Sequence, residues 1–307
     1  MVKCHCLSCE TLQDSYGSGC MPHRHILKKG VMLMSSDALS TISREMRINI
    51  LKSIAAAGSG HPGGSLSCID ILCALYFGNV MHYDAKNPHM PARDRFVLSK
   101  GHAAPALYAT LAQVGYIPVD ELVTLRKLGS RLQGHPDCRL VPGVEVSTGS
   151  LGQGLSISCG MAAGFKLDGT SQMVFTLLGD GECQEGQVWE AAMFAAHRHL
   201  DNLVAIIDRN GLQIDGPTEK VCDPGDVARK FEAFGWKTYD VDGHDISALV
   251  DILTQAREQK QGVPQAIIAH TIKGKGVSFM ENQVGWHGKA PNEQQLHDAL
   301  VELEQQA

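Results

Sequence analysis

The 307-residue chain is 44% hydrophobic and 20% charged, the composition of a globular protein long enough to bury a large core. A formal net charge of −6 argues against nucleic acid as a main partner, because phosphate backbones are held by clustered Lys and Arg. No apolar run approaches the roughly 20 residues of a membrane span, and the N-terminus MVKCHCLSCE lacks the apolar stretch of a signal peptide. Cys68, Cys73 and Cys159 fall in apolar helical stretches where free thiols pack as small hydrophobes. We read a cytoplasmic chain with no membrane and no nucleic-acid partner.

Residues 1–35 stand apart, with Cys4, Cys6, Cys9, Cys20, His23 and His25 crowded into a polar tail without periodicity. Thiols and imidazoles bind zinc, but the paired Cys-x-x-Cys spacing is missing, and Met32 and Met34 stand directly before a good helix start. The tail reads as disordered or as an upstream start artefact, and residues 36–307 as one domain. Ser36 and Asp37 cap a helix whose stripe is Leu39, Ile42, Met46, Ile50 and Ile54. It ends at Gly58. The loop SGHPGG follows, then a helix over 66–77.

A short strand over 94–98 delivers Ser99, Lys100, Gly101 and His102, and helices follow over 103–114 and 122–128. After the turn Gly134-His135-Pro136, a glycine-rich stretch, VSTGSLGQG, opens a helix that runs to Phe165. Its exposed amides suit an anion or a flat ring. Residues 174–178 are wholly apolar, as a parallel strand covered on both faces must be. Gly179-Asp180-Gly181 stops that strand. The spacing of Val188, Ala191, Ala192, Ala195 and Ala196 predicts a helix over 187–199, with Glu182 and Glu185 at its positive end. A second buried strand, 203–207, leads to Asn210. Helices over 227–234, 246–258 and 293–305 and strands over 237–241 and 265–269 complete a doubly wound α/β fold, its mostly parallel sheet covered by helices on both faces.

A crossover between neighbouring parallel strands brings Asp180 and Asn210 to adjacent carboxyl ends, where open α/β sheets bind ligands. A carboxylate, an amide oxygen and the carbonyls that follow are hard donors for Mg²⁺, Ca²⁺ or Mn²⁺. Gly179, Gly181 and Gly211 have no side chain to keep a phosphate from backbone amides. His61, His102, His135 and His287 each adjoin a glycine in a loop, and imidazole exchanges protons with hydroxyls near neutral pH. His197 and His199, at the end of the central helix, are assigned no chemistry.

The Gly-Asp-Gly turn, a helix and Asn at the next strand end resemble the thiamine diphosphate motif. The segments SGHPGGSLS, FVLSKGHAAPALYA, GHPD, GVEVSTGSLGQGLS, LLGDGECQEGQVWEA, IIDRNGL, FGW, TIKGKG and WHGKAP, in this order, are similar to the N-terminal half of transketolase over residues 36–290. The resemblance implies the diphosphate-binding domain of the thiamine diphosphate fold, with Asp180, Asn210 and the Leu212 carbonyl as metal ligands. It implies Gly181 and His102 beside the diphosphate, Gly149 and Leu151 meeting the cofactor through backbone, and Lys273 and His287 closing over it. His61, His135 and His287 match histidines that contact the donor sugar, and Glu185 an acidic network between paired active sites. Gly64 departs from the pattern, standing where some members carry a hydroxyl.

The pyrimidine-binding domain of the family, with its activating glutamate, has no counterpart here. The resemblance therefore implies one subunit of a two-chain transketolase, active with a C-terminal partner as a heterotetramer of two copies of each chain. Such an enzyme passes a two-carbon ketol unit from a ketose phosphate to an aldose. Deoxyxylulose phosphate synthase and 2-oxo acid decarboxylases share the Gly-Asp-Gly turn and the Asn but not SGHPGG, KGHAAP and WHGK together. A non-catalytic cofactor-binding module is the remaining reading, and the intact polar loops speak against it.

Overall fold

The computed structural model describes residues 34–305; the cysteine- and histidine-rich segment before them lies outside the described residues. The first helix, α1 (Ser36–Ala57), is opened by Ser35, whose hydroxyl accepts from the Ala38 amide at 3.3 Å. Gly58 closes it at φ 65°, a left-handed conformation that costs a residue without Cβ little. Leu39, Met46, Ile50 and Ile54 are buried along one stripe. The helix expected over 66–77 is two helices, α2 (Pro62–Ser67) and α3 (Ile69–Phe77), interrupted at Cys68. The first begins early because Pro62 has the φ a first helical turn requires. The stretch 122–128 is not an α-helix either: a 3₁₀ turn covers Val119–Thr124, and Arg126 just beyond stands at φ 58°.

In chain order the remaining elements are β1 (Arg95–Leu98), α4 (Ala104–Gln113), α5 (Gln153–Leu167), β2 (Val174–Gly179), α6 (Gly186–His197) and β3 (Leu203–Arg209). A small antiparallel pair, β4 (Leu212–Gln213) and β5 (Gly216–Pro217), precedes α7 (Thr218–Cys222) and α8 (Val227–Ala233). Then come β6 (Lys237–Asp242), α9 (Ile246–Glu258), β7 (Gln265–His270) and α10 (Glu293–Gln305). The main sheet has the order β1-β2-β3-β7-β6, every neighbouring pair parallel. The central helix α6 ends at His197, two residues earlier than its alanine spacing suggests, because His199 turns to φ 50°.

Alternate residues of the central strands feed two cores. Phe175, Leu177, Val204, Ile206 and Ile267 pack with α1, α3, α4 and α9, whereas Val174, Leu178, Leu203, Ile207 and Ile268 pack with α5, α6 and α8. Each such side chain contributes about 1.5–3 kcal/mol on burial, which is why these strands lack a polar alternation. The chain leaves β3 for the far edge at β6 and returns through α9 to β7, so the order reverses between β3 and β7. At such a reversal crossovers diverge to opposite faces and a crevice opens at the carboxyl ends. Register brings those ends level: Gly179 pairs with Asp208, and Arg209 with His270. Among the described residues, no helix is long and apolar enough to cross a membrane.

A buried polar cluster ties the helical layer to the segment after β7. Asp70 receives both guanidinium arms of Arg47, at 3.0 and 2.6 Å, and lies 2.8 Å from His244 Nδ1. His244 Nε2 accepts from the Ile272 amide at 2.8 Å, and Arg47 Nε donates to the Lys275 carbonyl at 3.2 Å. Burial disfavours the charged carboxylate, but the Arg47 charge and the hydrogen bonds from His244, Arg47 and Ser43 overcome it and hold Asp70 well below the usual carboxylate range. Breaking a buried pair by removing one partner leaves an uncompensated charge. Replacement of Arg47 by Met is therefore expected to lower stability by about 3–5 kcal/mol, read as a shift of the urea unfolding midpoint; a midpoint equal to that of the parent would refute the assignment.

Candidate functional site

The floor of the crevice is an ion pair. Asp208, near the end of β3, and Lys100, two residues beyond β1, are 0% and 1% exposed and bonded to each other. Burial opposes both charges, and each group holds the other ionised: Asp208 is pulled down by Lys100, and Lys100 pushed up by Asp208. The remaining acceptor capacity of Asp208 is spent on the Ser67 hydroxyl at 2.7 Å, the Thr271 hydroxyl and the Asn210 amide nitrogen at 3.3 Å. Lys100 also donates to the Gly64 carbonyl at 2.9 Å. A Cβ on Gly64 would stand 3.3 Å from His102 Nε2 and 3.4 Å from Lys100 Nζ, so a hydroxyl there would wedge between those two groups.

Above this floor Asp180 and Asn210 stand at the neighbouring ends of β2 and β3, linked through Gly211. Asp180 follows β2 and is 3% exposed; its carboxylate accepts from the Gly181 amide at 2.8 Å and the Gly211 amide at 2.5 Å. Asn210 is oriented at both ends of its amide, giving Nδ2 to Asp208 and accepting from the Leu212 amide at 3.2 Å. The Leu212 carbonyl receives the Lys273 ammonium at 2.9 Å, so one predicted ligand oxygen already faces a cation. Burial and the neighbouring Asp208 charge raise Asp180 against the two backbone amides. A buried carboxylate beside another, bonded only by neutral amides, fits a divalent cation held by hard oxygens.

Three of the four singled-out histidines meet. The rings of His61, His102 and His287 lie 5.3–5.6 Å apart, and Lys273 Nζ is 2.9 Å from His287 Nδ1. Lys273 can only donate there, which leaves the proton of a neutral His287 on Nε2. His135 stands across, exposed at the rim, its ring 3.2 Å from where a Cβ on Gly149 would sit. All four are held below the ordinary imidazole range. His61 is lowered to about 4, by burial first and then by the charges of Arg126, His135, Lys273 and Lys100, and His287 to about 3 by burial and then Lys273. His102 and His135 shift the same way, again chiefly through burial. Burial, then Lys100, lowers Lys273 to about 8. His61 Nδ1 is buried with no hydrogen-bond partner among the described residues, a cost that a ligand hydroxyl would remove.

Glu182 does not serve the central helix. It lies in a 3₁₀ turn, and its carboxylate instead accepts from Gly152, the N-cap of α5. Glu185 precedes α6, is exposed and makes no side-chain capping bond. Leu151, in the same glycine-rich loop as Gly149, is 36% exposed. Sequence reasoning missed Asp208 and gave Glu182 to the wrong helix. For Asp208 a signal exists, a lone carboxylate ending an otherwise apolar strand.

Comparison with known proteins identifies the family. The family model described as transketolase, thiamine diphosphate binding domain, matches residues 39–303. The chain is 46% identical over 256 residues to a Clostridium sp. (strain MSTE9) protein named 6-deoxy-6-sulfo-D-fructose transketolase subunit SqwG, covering 83% of this chain and 92% of that one. It is 42% identical to a Phocaeicola vulgatus protein named as one subunit of apulose-4-phosphate transketolase, covering 88% and 95%. Against human transketolase-like protein 2 the identity is 46%, over 86% of this chain but 42% of that protein. The crystal structure of Campylobacter jejuni transketolase superposes with a TM-score of 0.83 at 33% identity, covering 88% of this chain and 43% of that one. The chain thus spans nearly the whole of two relatives named as subunits and about two fifths of the longer ones. From the site geometry and the match over 39–303, the chain belongs to the transketolase family, as its thiamine diphosphate-binding domain.

Proposed function

We propose that this chain is the N-terminal subunit of a two-chain transketolase, a transferase that passes a two-carbon ketol unit from a ketose phosphate to an aldose. The observation that carries the reading is the placement of Asp180, Asn210 and Leu212 in one hydrogen-bonded turn that Lys273 links to the cluster of His61, His102 and His287. The oxygens of Asp180, Asn210 and Leu212 would hold Mg²⁺, with Ca²⁺ or Mn²⁺ as substitutes, and Gly181 and His102 would hold the diphosphate of the cofactor. Gly149 and Leu151 would present backbone to the cofactor, and Lys273 and His287 would close over it. Thiamine diphosphate, when bound, supplies the carbanion chemistry.

The chain's own residues would orient and protonate. A neutral imidazole donates at one nitrogen and accepts at the other, so His61, His135 and His287 would bind sugar hydroxyls and shuttle protons, which typically accounts for a factor of about 10² to 10⁴. The partner would be a C-terminal transketolase chain bearing the pyrimidine-binding domain, assembled two with two. The coverage of the two relatives named as subunits supports a split enzyme. One of them is named for a sulfosugar and the other for a phosphorylated sugar, so donors with either anionic group belong in the assay beside pentose phosphates. A cytoplasmic location belongs to the same reading.

Purified alone, the chain is expected to give no ketol transfer; mixed with the C-terminal chain, thiamine diphosphate and Mg²⁺, it should transfer from one of a panel of ketose phosphates and sulfonates. Turnover without a partner would sink the two-chain reading. Asp180→Asn removes the charged metal ligand and should weaken Mg²⁺-dependent cofactor binding by about a hundredfold or more, measured by titration of the complex; unchanged binding would remove Asp180 from the metal site.

The lowered histidines also set a pH dependence. An unfolded imidazole titrates near 6.5, whereas His61 in the fold waits until about 4. Between those values the unfolded state binds the extra proton, so stability rises with pH across this window and is lost on acidification. His61→Gln should flatten the slope of unfolding free energy against pH in that range by up to about one proton, read from urea titrations at several pH values. An identical slope would contradict the burial of a neutral His61.

A further inference from the structure

Glu182 is 3% exposed, and its carboxylate accepts three hydrogen bonds from the protein. Its Oε1 accepts from the Ser99 hydroxyl at 2.5 Å and the Gly152 amide at 2.9 Å, and its Oε2 accepts from the Gly179 amide at 2.9 Å. These donors come from three separate segments. Ser99 follows β1 and precedes Lys100; Gly152 caps α5 directly after Leu151; Gly179 ends β2 directly before Asp180. The start of α5 is pressed onto the same place, because a Cβ on Gly154 would fall 2.5 Å from the Ser99 side chain. A carboxylate at the N-terminus of a 15-residue helix also meets the positive end of its dipole.

We propose that Glu182 is a positioning residue that locks the glycine-rich loop to the Asp180 turn, fixing the distance between two backbone segments of the cofactor cleft. It contacts no ligand itself, since it is buried and both of its oxygens are engaged by the protein. The lock is a property of the fold; its effect on thiamine diphosphate rests on the function proposed above. Because both oxygens accept backbone amides, no neutral isostere replaces the carboxylate. In Glu182→Gln the amide group faces either Gly179 or Gly152 with a donor, whichever way it is turned, and a backbone N–H loses its acceptor. The mismatch spreads through the shared side chain to the other amide.

The test is hydrogen exchange on the full-length chain, together with cofactor titration of the chain assembled with its C-terminal partner. Glu182→Gln is expected to raise exchange at both Gly152 and Gly179 by about tenfold and to weaken thiamine diphosphate binding by a similar factor, the order of one charge-assisted hydrogen bond. The KM for the donor ketose should stay within about twofold, a separation that general loosening of the fold would not give. Ser99→Ala, which keeps both amide bonds and removes only a hydroxyl, should leave exchange at the two glycines at the parental rate. Parental exchange in Glu182→Gln, or a Ser99→Ala variant that reproduces its effect, would overturn the lock. Failure of the parent complex to bind thiamine diphosphate would instead overturn the proposed function, and exchange would still decide the role of Glu182.

Discussion

The site depends on one ion pair that sees no water. Two charges as buried as Lys100 and Asp208 carry a desolvation penalty of several kcal/mol each, and mutual attraction repays it only when the remaining lone pairs and protons are also satisfied. Here they are satisfied by the segments that build the crevice: Ser67 from α2, Thr271 after β7, Asn210 after β3 and the Gly64 carbonyl. The penalty therefore falls on any arrangement in which those segments part. A well-packed apolar pair could match the stability, but it could not aim the Asn210 amide, whose oxygen orientation follows from the hydrogen bond its nitrogen makes.

That orientation extends outward in steps. Asp208 turns Asn210, Asn210 accepts from Leu212, the Leu212 carbonyl takes Lys273, and Lys273 fixes the tautomer of His287. Each step converts a polar group that burial would penalise into a directed one. Behind Lys273, the Arg47–Asp70–His244 cluster grips the backbone of residues 272 and 275, so the segment that carries the lysine is held on two sides. Rigid support of this kind places functional atoms more closely than a free loop does.

Much of this was legible in the chain. Asp180 and Asn210 stand out because each lies within three residues of the end of an apolar run, and strand ends are where a parallel sheet exposes backbone. The histidines stand out because glycine flanks each of them. The cores were legible for the same reason the strands were, since burial on both faces leaves no polar alternation to misread. What escaped was the choice of partner. Glu182 precedes one helix and caps another, a decision made by the packing of Gly154 on Ser99 rather than by local sequence. The break at Cys68 and the turn over Val119–Thr124 escaped because apolar spacing fits an interrupted or tightened helix as well as a regular one.

The charges that assemble the crevice also decide the state of its histidines. Burial is the leading cause in each, but the charges of Lys100 and Lys273 add to it at His61 and His287, and that of Arg126 at His61. A cleft of this polarity would draw an anionic ligand and, before it arrives, would keep every embedded imidazole neutral. Neutrality is the useful state. An imidazolium only donates, whereas a neutral ring with one nitrogen pinned, as His287 is by Lys273, presents a defined donor at the other. The lysines thus act twice in the geometry, once as supports for backbone carbonyls and once by reinforcing the burial that lets the histidines around them both give and receive a proton.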